Sequence, residues 1–217
     1  MDTFVVVAVL CGALLHAGWN TLIKAGGDKE LDVALVHALG AVVCLPLLAW
    51  TGLPPREAWP FLATSLCIHV AYYVTLTGAY QHGDLGATYP IMRGSAPMLV
   101  ALGSSAVLGE SLSPAAWLGV SAITLGVLLV GLAHPGESLH RGRAVAFALA
   151  NACVIAGYTF VDGSGVRVAT GAGGTAAAYV VLLFVLDGVP YPALVAWRRR
   201  AAAREAMWAY VRQRWLL

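Results

Sequence analysis

The chain has 217 residues, 59% of them apolar and only 11% charged, with a mean hydropathy of +0.77 and a formal net charge of +2. Soluble domains carry about a quarter charged residues, so a water-soluble globular protein is excluded and an integral membrane protein is expected. The excess arginines gather in one segment beside a hydrophobic run, with no basic stripe carrying interleaved aromatics, and this excludes a nucleic-acid partner.

Apolar segments run near 4–23, 31–51, 59–80, 85–108, 114–133, 144–162 and 175–197, separated by loops rich in Gly, Pro, Asp and charge. Each matches a helix across a hydrocarbon core about 30 Å thick, so seven spans are expected in an all-α membrane fold. Met1-Asp2-Thr3 lacks the basic start of a cleaved signal peptide, and the first span is expected to be retained. In that span His16, Asn20 and Lys24 fall at i, i+4 and i+8 with Trp19 beside them, a single stripe that should face the bundle interior. A charged group at mid-helix costs about 2.5–3.5 kcal/mol on insertion scales, which is why such residues ask for an explanation. The structural alternative is that Lys24 snorkels to the interface while His16 and Asn20 bond neighbouring backbone. His37 in the second span has no evident partner. The third span offers His69, Tyr72, Tyr73 and Tyr80, of which Tyr80 has the position of an interface anchor.

Between Leu85 and Leu108 only Arg93 is charged. It follows Tyr89 by one turn and is flanked by Pro90, Gly94 and Pro97, residues that disturb a helix and free backbone carbonyls. Irregular backbone at membrane depth survives where protein or cavity water satisfies it, so Arg93 is expected to point into a wet cavity. Its guanidinium could hold a carboxylate or phosphate bidentately; the structural alternative is a salt bridge to Asp162 or Glu110. The turn that follows, Gly109-Glu110-Ser111-Leu112-Ser113-Pro114, ends in an N-cap and a proline at the first helical position.

The pattern Pro90, Pro97, Gly109, Glu110, Leu112, Ser113, Trp117, Leu118 and Gly119 resembles the EamA branch of the drug/metabolite transporter superfamily. The resemblance covers most of residues 1–200 and is strongest from Gly83 to Gly131. It implies a secondary transporter, commonly an exporter, that moves a small metabolite by alternating access around a central cavity in the cell (plasma or inner) membrane. The glutamate that the small multidrug resistance branch carries in its first helix is missing here, so proton-coupled export of cationic drugs by that route is not implied.

Further along, Ala156-Gly157-Tyr158-Thr159 with Gly165 repeats Ala17-Gly18-Trp19-Asn20 with Gly26 at an offset of 139 residues. Five spans per repeat require the second copy to enter the membrane from the opposite side. The loop charges agree: Lys24 and Lys29 precede Arg56 in the first copy, whereas Arg167 precedes Arg198, Arg199, Arg200 and Arg204 in the second. The expected domains are a first five-helix repeat, 1–134, and a partial second repeat, 141–217. The positive-inside rule places the N-terminus outside. The sixth span offers Asn151, Tyr158 and Asp162; some of these and of the third-span residues should line the same cavity, while Asp162, at a span end like Tyr80, reads as an interface anchor, and Asp187 in the seventh has no evident partner. Cys11, Cys44, Cys67 and Cys153 read as small core residues, since no CxxC pair indicates a metal site or a disulfide framework. No hydrolase, Walker or metalloprotease motif is present, so neither an enzyme nor a cofactor is expected. The Gly163–Gly174 segment reads as a flexible loop.

Arg93, Tyr89, His16, Asn20, Trp19, Tyr73 and Tyr158 are the residues expected to line the solute path. The competing reading is a non-transporting membrane scaffold, held by small-residue seams such as Gly119 and Gly126. The stretch from Ala206 reads as the start of an eighth span, and the repeat offset puts the end of a full second copy near position 271. The chain is thus expected to lack about three helices of the ten-helix plan, to be inactive by itself, and to self-associate through the face left open.

Overall fold

The computed structural model describes residues 3–107, 109, 111–133, 142–199 and 204–215. It is 89% helical, and no strand occurs among the described residues. The helices are α1 (Thr3–Ala25), α2 (Lys29–Thr51), α3 (Trp59–His82), α4 (Leu85–Val107), α5 (Pro114–Ala133), α6 (Gly142–Gly171), α7 (Ala176–Asp187), α8 (Pro190–Arg198) and α9 (Arg204–Trp215). Side-chain caps set several starts. Asp28 accepts from the Leu31 N–H at 3.1 Å, Ser113 from Ala116 at 3.2 Å and Thr175 from Ala178 at 3.1 Å.

Five stretches are long and apolar enough to cross a bilayer: Val6–Ala25, Lys29–Thr51, Arg56–His82, Gly142–Gly171 and Ala176–Arg198. The protein is therefore a multi-pass membrane protein. α5 carries a shorter apolar stretch, Pro114–Val130, and α4 is not among the five. The reason in α4 is composition, since Arg93, two prolines and several Gly, Ser and Thr residues dilute its apolar content.

Three expectations are corrected. The segment read as a loop from Gly163 is helical through Gly171, and one of its glycines serves packing: a Cβ at Gly165 would lie 2.5 Å from the Tyr179 hydroxyl. The seventh span is broken into α7 and α8 at Gly188-Val189, where Pro190 restarts the helix. The stretch read as the start of an eighth span lies in α9, which at 12 residues is not among the five. The cysteines are not core residues, since Cys11, Cys67 and Cys153 are exposed and Cys44 is half-buried. An outward-facing thiol is compatible with lipid as solvent, which places no premium on burying it.

α3 packs along α6, α4 against α5 and α6, and α2 against α7. Lipid tails are as apolar as leucine, so small residues that let helices approach replace the hydrophobic effect as the organising force. A Cβ on Gly78 would sit 2.6 Å from the Phe147 ring, and one on Gly103 would sit 2.4 Å from Phe160. Leu14 and Leu15 on α1, Val43 on α2 and Leu118 and Leu129 on α5 point outward, as lipid-facing residues should.

Two buried clusters lie at opposite ends of the bundle. Ala58, Leu62, Ala169, Tyr179, Leu182 and Leu183 fill the end near the α2–α3 connection. Ile23, Val33, Leu76, Ala79, Tyr80 and Met92 belong to the other, toward the α1–α2 loop. There Tyr80 donates to Asn20 Oδ1 at 2.7 Å, and Asn20, only 2% exposed, donates to the His16 carbonyl at 2.7 Å. Tyr80 is thus a buried strut, not an interface anchor. Tyr80→Phe removes one inter-helix hydrogen bond, worth about 0.6 kcal/mol on average and up to about 1.7 in membrane proteins. The expected result is a small drop in the midpoint of thermal unfolding in detergent; an unchanged midpoint would show the bond to be energetically idle.

Candidate functional site

A cavity of about 600 Å³ lies between the two clusters. α1 contributes His16 and Trp19, α2 contributes His37 and Gly40, and α3 contributes His69, Tyr72 and Tyr73. Arg93 comes from α4, Tyr158 and Asp162 from α6, and Tyr179, Phe184 and Asp187 from α7. The i, i+4 stripe on α1 does face inward, as the half-buried His16 and Lys24 and the buried Asn20 show. Lys24 itself donates to the Gly83 carbonyl at 3.1 Å and lies 3.9 Å from Asp84, at the loop end and not in the cavity wall.

Arg93 is half-buried, and its Nη2 lies 2.5 Å from His16 Nε2 and 3.4 Å from the Tyr72 hydroxyl. Its guanidinium carbon sits 5.9 Å from the centre of the Tyr89 ring. Among the described residues no carboxylate pairs with it. Asp162 instead accepts from the Tyr179 hydroxyl at 3.0 Å, and Glu110 lies outside the described residues. The cation is therefore held by neutral partners beside open space, a setting that favours an incoming anion. Arg93 also reaches a second cavity of about 470 Å³ between α4, α5 and α6, lined by Pro97, Ala101, Val120 and Ile155 among others.

His16 faces two N–H donors, Arg93 at Nε2 and the Trp19 indole at Nδ1, the latter at 3.0 Å. A neutral imidazole has one lone pair in its plane and can accept from only one of them. The charged guanidinium is the stronger donor. That assignment leaves the Trp19 N–H as a donor in want of an acceptor at the cavity wall.

Five of the seven residues expected on the solute path line this cavity: Arg93, His16, Trp19, Tyr73 and Tyr158. Asn20 and Tyr89 are not in its wall. Asn20 is engaged by Tyr80 below it, and Tyr89 packs beside His16 with ring centres 6.4 Å apart. Two residues without an assigned partner in the sequence, His37 and Asp187, belong to the cavity. Asp187 is 6% exposed and accepts a hydrogen bond from the Tyr73 hydroxyl. The His37 ring packs on Tyr73 at 4.1 Å between centres. The available sequence signal was a carboxylate placed immediately before Gly188 and Pro190 inside an apolar run, since an ionisable group at membrane depth marks a functional position. Tyr158 and His69 stack at 4.6 Å, closing the wall between α3 and α6.

Fold and site together define a polytopic helical membrane protein with a polar, aromatic-lined cavity between its helices. The chain belongs to the EamA-like transporter family, whose model matches residues 3–132. Members of that family are transporters rather than enzymes. No curated protein and no solved structure matches the chain.

Proposed function

We propose that the protein is a secondary transporter that exports a small polar metabolite across the cell membrane by alternating access, with Arg93 selecting an anionic group on the solute. The observation that carries this reading is a half-buried arginine with no carboxylate partner among the described residues, set in the wall of a cavity whose volume of about 600 Å³ suits a small ligand. The inverted-repeat plan supports it. Residues 1–134 form one unit and 141–217 part of a second, and the repeat partners Trp19 and Tyr158 both face the cavity. On this plan α1 to α7, continued by α8, make seven crossings, with the Lys24, Lys29 and Arg198 end in the cytoplasm.

The competing reading is a non-transporting scaffold. Within the chain a Cβ on Gly119 or Gly126 would meet nothing within 4 Å, so neither glycine packs closely against one of its own helices. A thermal-shift screen of amino acids, organic acids and phosphonates tests the binding site. Anionic members should stabilise the fold by mass action, by about 2.7 kcal/mol at a hundredfold excess over Kd, and so raise the unfolding midpoint. Flux of the stabilising solute in proteoliposomes would then establish transport, whereas binding absent across the whole panel would favour the scaffold.

A further inference from the structure

Toward the α1–α2 loop the cavity is closed by two layers of different chemistry. The inner layer is buried and neutral, with Tyr80 on Asn20 and the Tyr191 hydroxyl 3.4 Å from Thr77. The outer layer is ionic. Arg199, just past α8, makes a two-pronged bridge to Asp28 at 2.6 and 2.7 Å and reaches Glu30 at 3.4 Å. The Tyr210 hydroxyl of α9 joins the same cluster, accepting from the Asp28 N–H and donating to Asp32, each at 3.0 Å.

We propose that the Arg199–Asp28 bridge is the outer gate of the cavity on this face, and that α8 swings about the Gly188-Val189 break to open it. The inference rests on reading the cavity as the solute site. Three observations carry it. First, the bridge joins residues 171 apart in sequence, tying the end of α8 to the loop between α1 and α2. Second, both side chains keep about a quarter of their surface in solvent, 25% for Arg199 and 28% for Asp28. That solvent-facing edge lets water take over the hydrogen bonds as the pair separates, so the contact can break and reform in each cycle. Third, the chain has a hinge in the right place. α7 ends at Asp187 and α8 restarts at Pro190, so the nine residues of α8 can turn as a unit. Asp187, on the cavity side of that hinge, is held by Tyr73. Solute contact with the cavity wall is thereby placed one residue from the pivot. Burial pushes the Asp28 carboxyl up, but hydrogen bonds from Arg199 and from the Leu31 N–H outweigh it and hold the group below the ordinary carboxylate value, so the closed bridge is between two ions.

The test is a spin-label distance measurement on the full chain in lipid nanodiscs, with the four cysteines replaced by alanine. One pair, Leu22→Cys on α1 and Trp197→Cys on α8, uses exposed positions and reports the gated end. A second pair, Leu53→Cys and Val180→Cys, reports the opposite end. Asp28→Asn keeps the N-cap of α2 while removing the charge, and Arg199→Gln removes the fork. Each should add a longer-distance population at the gated end only, and Arg199→Lys should give an intermediate fraction. Distributions unchanged in both neutral variants would overturn the gate. So would equal broadening at both ends, which would make the bridge a general fold contact. Neither readout requires a solute, so failure of the gate is distinguishable from failure of the transporter assignment, which rests on binding and flux.

Discussion

Arg93→Lys is expected to weaken binding of the anionic solute by about ten- to a hundredfold while leaving insertion unchanged. Lysine keeps the charge and much of the stem, so the cost of placing a cation on α4 is nearly the same. What it loses is the planar fork that can meet two oxygens at once. A hydrogen bond to a charged group contributes about 1.5–3 kcal/mol, and about 1.4 kcal/mol is tenfold in affinity. The short ammonium also gives up the guanidinium contacts with His16 and Tyr72 that aim the group at the cavity. Titration of the stabilising solute by calorimetry gives the ratio directly. Equal affinities for wild type and Arg93→Lys would remove Arg93 from the solute path and leave it as a packing residue.

Gly188→Ala should be among the most damaging single methyl additions at the described glycines. A Cβ there would lie 2.3 Å from the Ala41 Cβ and 2.8 Å from the His37 carbonyl oxygen. Both are fixed to the α2 backbone and cannot rotate away, whereas the Phe147 ring that crowds Gly78 is a side chain with rotamers of its own. Overpacking of this kind costs about 1–3 kcal/mol, occasionally more. The strain also falls on the α7–α8 break, next to Asp187 and its bond from Tyr73. A clear fall in the thermal midpoint is expected. Adding Ala41→Gly should recover part of it but not all, because the His37 carbonyl remains in the way, and the shortfall of the double mutant measures that backbone contact. A Gly188→Ala protein as stable as wild type would mean that α7 and α8 can slide on α2 at no cost.

Composition alone determined that the chain lives in a bilayer, because 11% charged residues cannot cover a soluble surface. The stripe at His16, Asn20 and Lys24 and the lone charge of Arg93 were legible for the same reason: a polar group at membrane depth is costly enough that its position in the sequence predicts an interior face. Hydropathy could not tell a straight span from a broken one, since Ala176–Arg198 is apolar on both sides of Gly188. Nor could it tell a glycine-rich helix from a loop. Gly165 belongs to α6 because it admits the Tyr179 ring, a contact with a residue on another helix.

Tertiary structure alone decided which polar residues share a space. His37, Asp187 and Tyr73 come from three helices, α2, α7 and α3, and no periodicity within any one of them announces the others. Asn20 and Trp19 are neighbours in sequence, yet Asn20 is taken by Tyr80 beneath the cavity while Trp19 lines it. One residue of helical rotation, about 100°, separates those two fates. What packs against each side of α1, not the sequence of α1, determines which side is the cavity. The bridge from Arg199 to Asp28 is of the same kind, because a charge past one helix and a charge before another become partners only when the fold brings the two ends together.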